Sequence, residues 1–147
     1  MKINKNYNYP IYLAYLGGFP FLACAIIKLF NIQFFLNLGD VIHLSVIYAL
    51  MICSFMAGTH WGMFFNKKTS QLTYLLWSSN LQVILLYVLF FLLPLKLMLW
   101  AEALSFIFLL FVDYKLKKTN ITPALYFQMR IQVTSVVIIC LLIMIYS

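Results

Sequence analysis

Apolar residues in this chain fall into five long blocks separated by short polar gaps. The blocks run from about Ile11 to Phe30, Val41 to Phe65, Leu72 to Leu93, Leu97 to Tyr114 and Pro123 to Tyr146. Each is close to the roughly 20 residues that an α-helix needs to cross a bilayer core. In lipid, backbone N–H and C=O groups must bond within their own segment, so each block predicts a helix. A membrane barrel would instead show segments of about ten residues alternating in polarity, and the chain has no such alternation. The third and fourth blocks almost fuse. Leu72 to Tyr114 as one helix would measure about 64 Å, twice a bilayer core. Pro94 lacks an N–H and restricts the residue before it, so it ends the first arm and predicts an antiparallel pair. The expected fold is an all-α, polytopic membrane bundle of about five transmembrane helices, with residues 1–147 forming a single integral membrane domain.

Composition supports this pattern. Of 147 residues, 65% are hydrophobic and only 9% charged, with a mean hydropathy of +0.99. Soluble domains run near 45–50% apolar and 25% charged, so a water-soluble core could not hide this much apolar surface. The net charge of +7 comes from few residues, placed between the apolar blocks rather than along a polar stripe. That placement argues against nucleic acid and for the positive-inside rule. Lys2, Lys5, Lys67, Lys68, Lys115, Lys117, Lys118 and Arg130 fall on one side, and only Lys28 and Lys96 on the other. This orientation puts the amino terminus in the cytoplasm and the carboxyl terminus outside. Phe21-Leu22-Ala23-Cys24 loosely resembles a lipoprotein cleavage box, but the apolar run continues through Phe30, so the first helix is expected to be retained. Cys24, Cys53 and Cys140 lie inside apolar blocks without metal-ligand spacing and read as free core thiols. Asn120-Ile121-Thr122 is a formal glycosylation sequon on the expected cytoplasmic side. Thr122 reads better as an N-cap, with Pro123 at the first helical position.

Polar residues within the blocks are the candidate chemistry. Gly17-Gly18-Phe19-Pro20 interrupts the first helix and reads as a packing kink or a broken-helix binding site. In the second helix, Ser54, Gly58 and Gly62 recur at spacing four, as do Ala49, Cys53 and Ala57. Rows of small residues let helices approach closely, which predicts a central, tightly packed helix. His60, beside Trp61, could relay protons or bind a ligand, or could simply bond a neighbouring helix. Trp77-Ser78-Ser79-Asn80 opens the third helix. Glu102 and Asp113 lie eleven positions apart on the fourth, within about 20° of one helix face. Glu102 is the acid placed well inside a span, which makes it a functional candidate, with a neutral hydrogen-bonding role as the alternative. His60, Trp61, Asn80, Glu102, Asp113 and Arg130 form the candidate functional polar cluster. Arg130 is expected to neutralise Asp113 as a bidentate partner. HExxH, GxSxG, Walker and Asp-rich lipid-phosphate signatures are all missing, so no catalytic set, metal or cofactor is expected.

The string from Tyr48 to Gly62, with its Gly58-Thr59-His60-Trp61-Gly62 core, resembles the signature of a membrane family known as domain of unknown function 3429. That family includes transmembrane protein 69 of animals. Gly18-Phe19-Pro20-Phe21, Trp77-Ser78, and Asp113 followed by Pro123-Ala124-Leu125-Tyr126-Phe127-Gln128-Met129-Arg130 and Thr134 support the resemblance. It covers nearly the whole chain. In the family a proline usually follows the tryptophan of the third helix, and Asn80 stands in its place here. The resemblance implies a small multi-pass membrane protein, bacterial or mitochondrial, and no established activity.

The leading reading is a non-enzymatic accessory or structural protein of the bacterial inner membrane, whose partners are membrane lipids and other membrane proteins. The alternatives are a small proton-coupled carrier using Glu102, His60 and Asp113, or a membrane-embedded enzyme with His60 as acid–base. The orientation has a direct check. Alkaline-phosphatase fusions after Ser147 and near Pro94 should be active, and those near Lys68 and Lys118 inactive. Activity at Lys68 would invert the topology.

Overall fold

The computed structural model describes residues 8–32, 40–67 and 72–147. Lys2, Lys5 and Lys68, three of the basic residues used for orientation, lie outside them. The described chain is all helical: α1 (Asn8–Leu29), α2 (Val41–Lys67), α3 (Thr73–Leu92), α4 (Leu95–Lys118) and α5 (Ala124–Tyr146). Each helix is long and apolar enough to cross a membrane. The shortest, α3 with 20 residues, measures about 30 Å, the thickness of a hydrocarbon core. α4 continues one turn past Tyr114 into its lysines. The apolar pattern stops short of them because lysine stems extend along apolar surface while their amines reach out. Lys115 Nζ lies 4.6 Å from the Phe111 ring centre and Lys117 Nζ 4.9 Å from that of Phe127.

Helix ends are set by local chemistry. Asp40 Oδ1 accepts from the Ile42 N–H at the start of α2, as an N-cap acid does. α3 stops at the expected proline: Leu93 is extended, and Pro94 opens α4 with its carbonyl accepting from Met98 N. α1 and α4 end alike. Asn31 (φ 48°) and Asn120 (φ 56°) adopt the left-handed conformation. The pairs Asn31 N to Lys28 O and Ile32 N to Ile27 O, then Asn120 N to Lys117 O and Ile121 N to Leu116 O, close two Schellman motifs. The cap of α5 differs from expectation by one residue. Pro123 is the N-cap, with extended ψ of 148° and no side-chain cap, and Thr122 Oγ1 has no hydrogen-bond partner. The proline ring leaves Thr122 one position too early to reach the first free N–H groups.

α1 remains one helix through Pro20. The Tyr48 hydroxyl donates to Gly17 O at 2.9 Å, in the turn where the proline disturbs regular bonding. Phe21, 1% exposed, packs between the Tyr48 and Phe106 rings at 5.1 and 6.0 Å. α2, α4 and α5 carry most of the buried core, from Val46 and Cys53 through Leu99 and Leu109 to Leu141 and Met144. α1 packs on α5 and α2, and α3 on α2 and α4. Outward positions are apolar as well: Leu92 is 71% exposed and Phe55 68%. In water such a surface would invite association, whereas in a bilayer it meets lipid. The Tyr15 hydroxyl donates to Gln132 Oε1, tying α1 to α5.

The two rows of small residues in α2 have opposite fates. Ala49, Cys53 and Ala57 are buried against the other helices. Ser54, Gly58 and Gly62 are exposed, and a Cβ built on either glycine meets nothing within 4 Å. The expectation that this second row packs the bundle is therefore corrected. Spacing of four identifies a row but not its direction, and Ser54 Oγ satisfies itself on Leu50 O at 2.8 Å. Ala57→Leu should cost about 1–3 kcal/mol by overpacking. Gly58→Ala should be neutral or stabilise by up to about 1 kcal/mol through helix propensity. Detergent-unfolding curves of the two variants test this, and equal losses would refute the assignment of faces.

Candidate functional site

The ends of α2 and α4 and the start of α5 lie at one end of the bundle, because the helices alternate in direction. His60 sits about 10 Å from the end of α2, Asp113 about 8 Å from the end of α4, and Arg130 about 9 Å from the start of α5. Chain register alone thus brings three side chains to one depth, and packing turns them to one point. The Arg130 Nε donates to Asp113 Oδ2 at 2.7 Å, and His60 Nε2 lies 3.3 Å from Asp113 Oδ1. Asp113 is 0% exposed, His60 1% and Arg130 5%.

Each carboxylate oxygen therefore serves a different helix. A carboxylate oxygen accepts, so a hydrogen bond at this contact takes the Nε2–H form of the His60 ring. The expected pairing of Asp113 with Arg130 is present, but it is not bidentate. Oδ1 is taken by His60, and the Arg130 Nη1 turns instead to Met56 Sδ at 3.4 Å. His60 Nδ1 and Arg130 Nη2 are buried without a hydrogen-bond partner.

The rest of the anticipated cluster does not converge. Trp61 is exposed and stacks obliquely on Phe65 at 5.9 Å along its own helix. Asn80 is exposed on α3. Of the Trp77-to-Asn80 run only Ser79 is fully buried, and it bonds back to Leu75 O at 2.7 Å, as helical serine readily does. Glu102 is buried at 0% exposure, yet it stands about 16 Å along α4 from Asp113. Neither of its carboxyl oxygens has a hydrogen-bond partner. Among the described residues, no group of three or more His, Cys, Asp or Glu side chains could hold a metal ion.

Two features escaped the sequence reading. Gln82 Nε2 donates to Ser105 Oγ at 2.6 Å and lies 3.4 Å from Ser105 O, joining α3 to α4. The signal was available: Leu75, Ser79, Gln82 and Leu86 recur at helical spacing and form the buried face of α3. The second is a lateral cleft of about 1370 Å³, walled by α1, α2 and α5, with Phe106 at its back. Arg130 and Thr134 line it, whereas His60, Asp113 and Glu102 do not. Individually unremarkable apolar residues on three helices form this space, so no local pattern marked it.

These features define a multi-pass, all-helical membrane protein with a closed polar cluster at one end of its bundle. The chain belongs to the family described as protein of unknown function (DUF3429), which matches residues 7–146. No curated protein matches the chain, and no solved structure does.

The ion pair has a measurable signature. Arg130→Leu and Asp113→Leu should each destabilise by about 3–5 kcal/mol, because each leaves a buried charge uncompensated. The double variant should lose at least about 1 kcal/mol less than the sum. Strict additivity in detergent unfolding would mean that the pair does not interact.

Proposed function

We infer that this protein is a non-enzymatic accessory or structural component of the bacterial inner membrane, with its amino terminus in the cytoplasm. One observation carries the non-enzymatic reading. Two of the candidate acid–base residues, His60 and Asp113, are closed on one another and on Arg130. A general base must reach the proton it abstracts, and among the described residues His60 is not part of the cleft's lining. The cluster instead ties α2, α4 and α5 together. Its partners on this reading are lipids and other membrane proteins, and no nucleic acid.

A second reading rests on Glu102. A fully buried carboxyl with both oxygens unpartnered is the arrangement a proton-coupled carrier uses within the membrane. Three experiments separate the readings. Native purification followed by mass spectrometry should recover a stoichiometric membrane-protein partner, and His60→Ala should weaken folding without removing any turnover. In proteoliposomes, a pH gradient should drive no solute flux. Gradient-driven flux that vanishes in Glu102→Gln would replace the accessory role with a carrier.

A further inference from the structure

The lateral cleft has a polar spot that the bundle does not satisfy. Its opening is rimmed by Leu13, Phe55 and Leu125, which are 67%, 68% and 55% exposed. It therefore faces the surrounding hydrocarbon rather than water. Along α5 it extends from Leu125 to Val137, about 18 Å of helix. Its volume of about 1370 Å³ exceeds the roughly 300–1,000 Å³ of ordinary small-molecule pockets. Length, opening and apolar walls suit a long hydrocarbon chain entering sideways from the bilayer.

Two residues of its wall, Arg130 and Thr134, carry donor atoms with no protein partner. Arg130 is 5% exposed and Thr134 1%. Arg130 Nη2 and Thr134 Oγ1 both lack a hydrogen bond, and both residues line the cleft. They stand four positions apart on α5, and so one above the other on the same helix face. Buried donors of this kind cost stability unless something accepts from them. Thr122, also unpartnered through Oγ1, lines the end nearest the α4–α5 loop.

Charge narrows the ligand. The Arg130 guanidinium is already balanced by Asp113 through the 2.7 Å contact. A carboxylate or phosphate at Nη2 would bring a negative charge that nothing there compensates, at a desolvation cost. An uncharged carbonyl oxygen accepts the same hydrogen bonds without that cost. Depth narrows it further. Arg130 lies about 9 Å and Thr134 about 15 Å from the start of α5, so the polar spot runs inward from the outer part of the hydrocarbon, within reach of a glycerolipid ester drawn in with its acyl chain. We propose that the cleft binds a bilayer glycerolipid, with an acyl chain along α5 and an uncharged ester carbonyl accepting from Arg130 Nη2 and Thr134 Oγ1. This holds whether the protein supports other proteins or carries protons.

Native mass spectrometry of the full chain in mild detergent tests it with dioleoylglycerol as probe. The dioleyl diether analogue has the same chains without carbonyls. The ester should bind about fivefold or more tightly than the diether, as expected for one or two uncharged hydrogen bonds. Thr134→Val should erase most of that preference while leaving diether binding unchanged. Ala14→Trp, which fills the cleft from α1, should remove both ligands at an unchanged unfolding midpoint. The ester–diether comparison on the unaltered protein decides the matter even where a variant fails to fold. Equal binding of ester and diether would overturn the proposal. So would displacement of the ester by an equal concentration of oleate, which would mark an anion site, or tighter binding of decylquinone, which would mark a quinone site.

Discussion

Asp113 accepts from α2 through one oxygen and from α5 through the other, at full burial in α4. Much of the bundle's geometry hangs on that carboxylate. A charge so deep is tolerated only when paired and hydrogen-bonded. The pairing therefore constrains the rotation of three helices at once. α4 must turn Asp113 inward, α5 must present Arg130 to it, and α2 must turn His60 and the buried Ala57 the same way. Apolar packing alone would resist such rotations weakly, since lipid tails are about as apolar as the core and supply no hydrophobic force between helices. Polar contacts act as registers in this setting. Gln82 with Ser105 fixes α3 on α4, and Tyr48 with the Gly17 carbonyl fixes α1 on α2.

The polar groups inside the bundle fall into two kinds. Asp113, Ser105, Tyr48 and the amide nitrogen of Gln82 bond neighbouring helices, and their effect is architectural. Glu102, Thr134 and the outer nitrogen of Arg130 are buried and unsatisfied within the chain. Unsatisfied groups are the informative ones, because a stable fold rarely keeps them without a use. Arg130 belongs to both kinds. Its Nε holds the bundle together, its Nη2 has no partner, and the residue lines a space the bundle does not fill. A structural ion pair can in this way position a binding donor, with Asp113 setting the orientation of the guanidinium and balancing its charge.

The membrane also explains why several prominent residues lie on the outside of this bundle. Trp61, Trp77, Asn80 and the Gly58–Gly62 row are the most eye-catching features of their sequence segments, yet all face outward. Aromatic residues outside a bundle serve as lipid contacts and interfacial anchors. A glycine on that face removes side-chain area from lipid without bringing any helix of this chain closer.

Sequence by itself determined the number of helices, the break at Pro94 and the shared depth of His60, Asp113 and Arg130. Each of these follows from a one-dimensional quantity: block length against bilayer thickness, a missing N–H, or residue count from a helix end. It also exposed the pairing of Asp113 with Arg130, since opposite charges at one depth in lipid have strong reason to meet. Only the tertiary structure decided which side of each helix looks inward. In a soluble helix the polar face announces the outside. Here both faces are apolar, so the row of Ala49, Cys53 and Ala57 and the row of Ser54, Gly58 and Gly62 were equivalent until neighbouring helices covered one of them. The same ambiguity hid Gln82, scattered the proposed six-residue cluster into a triad and three separate side chains, and concealed the cleft, a space enclosed by several helices whose shape no single segment encodes.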